Sequence, residues 1–343
     1  MTAISLGQRR RLPAWGAILG ALLVLELGYF SVTNRNFFGG GTGMLTQIEL
    51  FIPTGILAMG LALVILTGNI DLSAGAIASL SSVVVGTQLE SGTVIGAIVV
   101  ALVVSTVIGL VNGLIVAHLG IDSLLVTLAT QFIASSLAVS LAGDNPPQDF
   151  ASLFLTLGRG TVAGVPVALL IFAVVAAVVA LLVGRSRFGR RLVLIGHNAE
   201  AARYSGIRVA RTTVGVFTVS GLIAGIAGIV LAAYFNAGRS DSGMALLLPA
   251  ITCVVLGGVD IFGGKGRVGE VVVAVLLLGF LTQGLLNSGF SSLATTMVTG
   301  LLLIVALVVK IAFEVRSDPS VLASTADRLR RRFAPRRPAA DHG

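Results

Sequence analysis

The sequence predicts an all-α polytopic membrane protein with about ten transmembrane helices. Of its 343 residues, 55% are hydrophobic and only 11% are charged, and the mean hydropathy is +1.00. A soluble domain carries roughly 25% charged residues, so this chain has too little charge to cover a surface facing water. Long apolar runs recur along it, and an apolar run of about twenty residues crosses a bilayer as a helix. Helix is expected because lipid offers the backbone no hydrogen-bond partners.

Ten apolar runs are candidate transmembrane helices. The third and the eighth are short, so we expect their crossing to be the least regular. In chain order, the runs are 14–30, 46–66, 74–90, 93–117, 122–142, 163–184, 214–236, 244–259, 268–288 and 291–313.

The basic residues indicate how these runs are oriented. Cytoplasmic loops carry an excess of Lys and Arg. With ten spans and a cytoplasmic N-terminus, all of the 23 basic residues except Arg35, Arg159 and Arg239 fall on the cytoplasmic side. This bias accounts for the net charge of +8 without any binding of nucleic acid. It predicts that both termini are cytoplasmic.

The chain therefore divides into three parts. Residues 1–13 are a cytoplasmic N-terminus, and residues 14–313 are a transmembrane domain interrupted by a charged cytoplasmic loop at 185–213. Residues 314–343 are a basic tail, whose prolines and charges are typical of disorder.

No pattern in the sequence indicates catalysis or a metal. The stretch nearest to a phosphate-binding loop is GGVDIFGGKGR from Gly257, where Gly266 replaces the required Ser or Thr. The three histidines are far apart, and Cys253 is the single cysteine. Few ionisable residues fall in or near the spans, which weakens an ion-coupled mechanism: Glu26, Glu49, Asp71 and Glu270. We predict a chain that is not an enzyme and binds no metal.

The charged loop contains NAEAARYSG, which predicts a short helix. Asn198 is a suitable N-cap, and Gly206 can close the helix in a left-handed conformation. Glu200 lies in the first turn, where negative charge suits the helix dipole. The helix can rest on its own bundle or dock a cytoplasmic partner. Three alanines offer a flat docking face: Ala199, Ala201 and Ala202.

Three stretches resemble the permeases of ATP-binding-cassette importers, in the ribose/xylose/arabinose-type sugar permease family. The resemblance covers about residues 45–312 and extends to the rhamnose and autoinducer-2 import branch. In the loop it rests on Phe188, Gly189, Arg190, Gly196, Asn198, Ala201, Ala202, Ser205, Gly206 and Ile207. Elsewhere it rests on TGNIDLSAG from Thr67 and on GGVDIFGGKGRVG from Gly257.

The resemblance implies a permease subunit of an importer in the cell membrane of a bacterium. A separate ATPase subunit would use ATP, so this chain would bind no cofactor. An external sugar-binding protein would deliver the solute, and a second permease copy or a paralogue would complete the path. The residues expected to couple to the ATPase are Gly196, Asn198, Glu200, Ala201, Ala202, Ser205 and Gly206. Two alternatives are an ion-coupled transporter acting without an ATPase and an ATP-driven importer of amino acids or nucleosides; TGNIDLSAG favours the sugar-type branch.

Uncharged polar residues and Asp71 are candidates to line the path, because hydroxyl-rich solutes suit such partners. The alternative is hydrogen bonding between helices, and Asp71 or Ser73 can instead cap the following helix. The candidates are Asn69, Asp71, Ser73, Asn112, Thr127, Gln131, Gln283 and Asn287. The GGVDIFGGKG stretch predicts a tight turn in which glycine allows positive φ, and its Lys265 and Arg267 are further candidates to touch the ATPase.

Overall fold

A computed structural model describes residues 14–33, 49–298, 300, 301, 304, 305 and 308. The predicted all-α class is confirmed. The helices are α1 Ala14–Thr33, α2 Ile52–Leu66, α3 Ala74–Leu89, α4 Val94–Leu114, α5 Ser123–Ala142, α6 Ser152–Arg159, α7 Val167–Arg185, α8 Arg187–His197, α9 Ala199–Tyr204, α10 Val209–Phe235, α11 Leu247–Leu256 and α12 Val268–Asn287.

Shorter elements extend three of these helices. The 3-10 turns Glu49–Phe51 and Met244–Leu246 precede α2 and α11, and a π-helical segment, Ile115–Leu119, continues α4. A two-stranded hairpin pairs β1, Thr161–Val162, with β2, Val165–Pro166.

Within the described residues, six helices are long and apolar enough to cross a membrane: α1, α4 with its π-helical extension, α5, α7, α10 and α12. Three apolar helices are shorter: Ile52–Leu66, Ala74–Leu89 and Met244–Leu256. The helix count of ten and the side on which the termini lie stay predictions. Residues 1–13, 314–343 and part of the run at 291–313 lie outside the described residues. Residues 296–343 form a second unit, and its described members are helical.

Some helices begin at other residues than the apolar runs that predict them. The run at 163–184 begins as a helix only at Val167, because Ala163 and Gly164 take positive φ and turn the hairpin. The run at 214–236 begins as α10 at Val209, so Arg211 lies inside a helix. The amphipathic helices α6 and α8 were not predicted, since both are shorter than a span and carry arginines.

The centre of the bundle forms around α10, which packs on α2, α3 and α4. Every residue of α2 is buried. The seam between α4 and α10 depends on glycine, because a Cβ on Gly221 would lie only 2.9 Å from the Cα of Gly109. Small residues allow such close approach in membranes. At the periphery α1 packs on α12, and Trp15 Nε1 donates to the carbonyl oxygen of Leu256 at 2.8 Å.

Candidate functional site

Residues 67–73, which we call the polar turn, interrupt the buried helices α2 and α3. Non-helical backbone inside a membrane bundle needs partners from its neighbours. The N–H of Ile70 donates to Ser123 Oγ, and the N–H of Leu72 donates to Thr127 Oγ1, both at 3.1 Å. The first two turns of α5 therefore satisfy two backbone N–H groups of the polar turn.

Asp71 lies at the centre of the polar turn and is 1% exposed. Its Oδ1 accepts the N–H of Ser73 at 2.9 Å and the hydroxyl of Ser73 at 2.6 Å. Its Oδ2 accepts the hydroxyl of Ser220, on α10, at 3.1 Å. Burying a carboxyl is costly unless it is hydrogen-bonded, and these three donors meet that requirement.

The network continues from Ser73 across two more helices. Asn112 Nδ2 on α4 donates to Ser73 Oγ at 2.9 Å, and Thr130 Oγ1 on α5 donates to Asn112 Oδ1 at 2.6 Å. One hydrogen-bonded chain therefore joins α10, the polar turn, α4 and α5. It runs through Ser220, Asp71, Ser73, Asn112 and Thr130.

The structure brings together four of the predicted path residues: Asp71, Ser73, Asn112 and Thr127. Asn69 lies in the same turn, where its Nδ2 donates to Thr67 Oγ1 at 2.9 Å. Gln131 is half-buried on α5, one turn beyond Thr127.

Gln283 and Asn287 do not join this network. They hydrogen-bond to each other at 3.1 Å on α12, which packs chiefly on α1, α2 and α11.

The alternative role as a cap gains no side-chain bond to a helix N–H here, because Asp71 accepts the N–H of Ser73, the residue before α3. Ser73 occupies the N-cap position of α3, but its hydroxyl makes no cap bond and donates to Asp71 instead. Sequence reasoning also missed Ser123, Thr130 and Ser220, because a single hydroxyl in an apolar run has no spacing signal.

The short loop helix forms as predicted. Asn198 Oδ1 accepts the N–H groups of Glu200 and Ala201, both at 3.0 Å. Gly206 has φ +79° and closes the helix: its N–H donates to the Arg203 carbonyl at 3.0 Å, and the N–H of Ile207 donates to the Ala202 carbonyl at 3.1 Å. These two bonds are the Schellman arrangement of a helix C-terminus.

The predicted docking face needs one correction. Ala202 is 4% exposed and faces the protein, where α9 packs on α8 and α10. Since α9 has a turn every 3.6 residues, the alanines do not all share one face. We define the outer face of α9 by its exposed residues Glu200, Ala201, Arg203 and Tyr204.

Two loops and the end of α8 meet at glycines, which we call the glycine junction: Gly68, Gly196, Gly263 and Gly264. A Cβ on Gly196 would overlap the carbonyl oxygen of Leu66 and the backbone N of Gly264. A Cβ on Gly263 would lie 2.8 Å from the Cα of Gly68 and 2.9 Å from that of Gly196. Only glycine permits contact this close between backbones. The junction therefore connects the polar turn, the end of α8 and the loop at 257–267.

The loop at 257–267 is the tight turn that the sequence predicts. Gly258, Gly263 and Gly264 have φ between +80° and +87°. The N–H of Asp260 donates to the Lys265 carbonyl at 2.9 Å, and Asp260 Oδ1 accepts the N–H of Phe262 at 3.0 Å. Lys265 is exposed, and Arg267 contacts Glu270 at 3.8 Å.

The fold and this site define a class of protein. Among the described residues, no cluster of His, Cys, Asp or Glu could hold a metal ion. Apolar helices surround a polar turn with a buried carboxyl, and the loop at 257–267 contacts that turn at one end of the bundle. This architecture is that of a polytopic membrane permease.

Comparison with known proteins gives the family. Residues 43–307 match the family described as branched-chain amino acid transport system / permease component, and the chain belongs to that family. The predicted resemblance to importer permeases of the sugar type and the autoinducer-2 branch is confirmed. The chain is a transport permease and a multi-pass protein of the bacterial inner membrane.

Relatives match over most of their length. The autoinducer 2 import system permease protein LsrD of Yersinia enterocolitica serotype O:8 / biotype 1B is 36% identical over 301 residues, which cover 86% of this chain and 91% of that protein. LsrD of Photorhabdus laumondii subsp. laumondii is 35% identical over 319 residues, which cover 89% of this chain and 92% of that protein. No solved structure matches the chain.

Proposed function

We propose that this chain is the membrane-spanning subunit of an ATP-driven importer for a sugar or sugar-like solute. The family and the relatives support this, since the relatives at about 35% identity are named as autoinducer 2 import permeases. An external binding protein delivers the solute, and two permease copies, or this chain and a paralogue, enclose the path. ATP is bound and hydrolysed by a separate subunit, and this chain binds no cofactor.

The glycine junction is the observation that carries the coupling mechanism. The outer face of α9 is exposed, and Tyr204 on it is 86% exposed. Gly196, near the end of α8 and just before α9, packs on the backbone of Leu66, the residue that directly precedes the polar turn. Because the backbones at the glycine junction are already in close contact, a displacement of α9 by the ATPase moves the polar turn. The polar turn carries Asp71 and Ser73, and the hydrogen-bonded network of these two residues joins α4, α5 and α10.

Uptake into vesicles containing the permease and its candidate ATPase tests this proposal. Ala201→Arg places a bulky charge on the exposed face of α9 without entering the packed interior. We expect unchanged thermal stability, loss of ATPase co-purification and loss of ATP-driven uptake. Leu194→Arg is the matched control, because Leu194 is exposed on α8, outside that face. If Ala201→Arg retains ATP-driven uptake, the coupling assignment is wrong.

The same vesicles separate the alternatives. Glu26, in α1, has a side-chain oxygen that is buried without a hydrogen-bond partner among the described residues. An ion-coupled transporter would use such a carboxylate. Our proposal expects that Glu26→Gln leaves uptake unchanged and that an ion gradient without the ATPase drives none. Competition by amino acids or nucleosides rather than sugars would favour the other ATP-driven importer.

A further inference from the structure

One face of α7 is apolar and exposed along most of its length. Leu170, Val174, Val178 and Leu181 are 41–63% exposed and follow one another at intervals of four, four and three residues. This spacing places them in one stripe along the helix. Arg185, the last residue of α7, is four residues further and ends the same stripe. The stripe is therefore a surface for acyl chains with a cation at one end.

The helix α8 contacts the helices α7, α10 and α2. Near its start, Gly189 packs on the backbone of Leu182 and Val183 at the end of α7. Phe188 lies beside Gly215, near the start of α10, and Gly196 lies on Leu66, at the end of α2. This helix of 11 residues therefore lies across one end of the bundle.

The two faces of α8 differ in polarity: one is apolar and buried, and the other is basic and exposed. Leu192 and Ile195 are buried against the bundle. The opposite face carries Arg187, Arg190 and Arg191, all exposed and all within the first two turns. Together with Arg185 these residues form what we call the arginine cluster. Basic amphipathic helices of this kind lie in the interface of anionic membranes.

Acidic residues of the same segment do not balance the charge at this surface. Between residues 185 and 211 there are seven arginines and a single acidic residue, Glu200. In the part of the chain that the structure describes, no ion pair joins the arginine cluster to a carboxylate. Guanidinium groups bind phosphate oxygens through paired hydrogen bonds. The surface therefore favours an anionic phosphate group.

We propose that the arginine cluster and the apolar stripe of α7 form a binding site for an anionic phospholipid. The phosphate of the headgroup binds the arginines, and an acyl chain lies along Leu170, Val174, Val178 and Leu181. The apolar stripe of α7 is the reason why we assign a lipid, and not the ATPase, as the ligand of the arginine cluster. A soluble partner has no access to a face inside the bilayer, whereas Arg185 lies in line with that face.

Native mass spectrometry of the purified full-length chain tests the site. The chain is mixed with phosphatidylglycerol or phosphatidylcholine in detergent, and retained lipid is counted. We expect preferential retention of phosphatidylglycerol by the wild type. The triple variant Arg187→Gln, Arg190→Gln, Arg191→Gln should lose it, by roughly fivefold for each arginine removed. Soluble glycerol phosphate should not compete at equal concentration, because it lacks the acyl chains.

A second triple variant is the matched control. Arg203→Gln, Arg208→Gln, Arg211→Gln removes three exposed arginines that follow α8 in the chain and leaves α8 intact. This control should retain phosphatidylglycerol as the wild type does, and thermal unfolding of both variants shows whether they fold. Equal loss in both variants, or no preference by the wild type, would overturn the proposal. So would an α8 variant that keeps the lipid but no longer co-purifies with the ATPase.

Discussion

The backbone N–H of Gly264 donates to the carbonyl oxygen of Leu66 at 2.9 Å. Leu66 is the last residue of α2, so this bond satisfies one of the carbonyls that a helix leaves open at its C-terminus. It also fixes the loop at 257–267 to the beginning of the polar turn. The arrangement of this end of the bundle thus depends on backbone contacts that only glycines can make.

We predict that Gly196→Ala destabilises the protein. Its Cβ would overlap Leu66 and Gly264, and overpacking of this kind costs about 1–3 kcal/mol. Thermal unfolding in detergent measures the loss. Gly184→Ala is the control: Gly184 lies inside α7 with no neighbouring atom within 4 Å of an added Cβ, so alanine should be neutral or slightly stabilising. Equal unfolding temperatures for the two variants would show that the junction tolerates a side chain.

We predict that Asp71→Ala is more harmful than Asp71→Asn. Alanine leaves the hydroxyls of Ser73 and Ser220 without their acceptor, at a cost of about 1–3 kcal/mol for a buried unsatisfied donor. Asparagine keeps an oxygen for Ser73, and its amide can donate to Ser220. Unfolding by denaturant ranks the variants. If alanine and asparagine prove equivalent, the hydrogen bonds of Asp71 are not what holds the polar turn.

We predict that Asn198→Ala loosens α9 locally. The substitution removes the acceptor for two N–H groups at the start of the helix, and loss of an N-cap costs about 1 kcal/mol. Amide hydrogen exchange should accelerate at 199–204 while exchange in α10 stays the same. Asn198→Asp, which preserves the cap, should exchange as the wild type does. Faster exchange throughout α10 would mean that the cap supports more than its own helix.

We predict that Gly221→Ala weakens the central seam between α4 and α10. A Cβ there would lie 2.5 Å from the Ser105 carbonyl oxygen and 2.9 Å from the Cα of Gly109. The helices would have to separate, so the unfolding temperature should fall. Gly20→Ala, in α1, has no atom within 4 Å and provides the comparison. A Gly221→Ala variant as stable as Gly20→Ala would indicate that the seam can shift without cost.

The features of the site that depend on residues close together in the sequence were largely predictable. Asn198 and Gly206 were assigned as cap and closure of α9 because capping bonds join residues at most five apart. The positive φ of the glycines at 258–264 was also predictable, because glycine adopts this backbone conformation in tight turns far more readily than other residues do. Ala202 was misassigned to an exposed face, since its burial depends on α8, a helix that the sequence pattern did not reveal.

The class of protein, the positions of most helices and the short loop helix could be predicted from the amino-acid sequence, because hydropathy and capping are local properties. Which polar groups meet could be seen only in the folded protein. Asp71 and Ser220 are 149 residues apart, and Gly68, Gly196 and Gly264 come from three separate segments. No spacing along the chain records such contacts. They exist because packing of the apolar helices brings distant turns to the same end of the bundle, where buried polar groups must then satisfy one another.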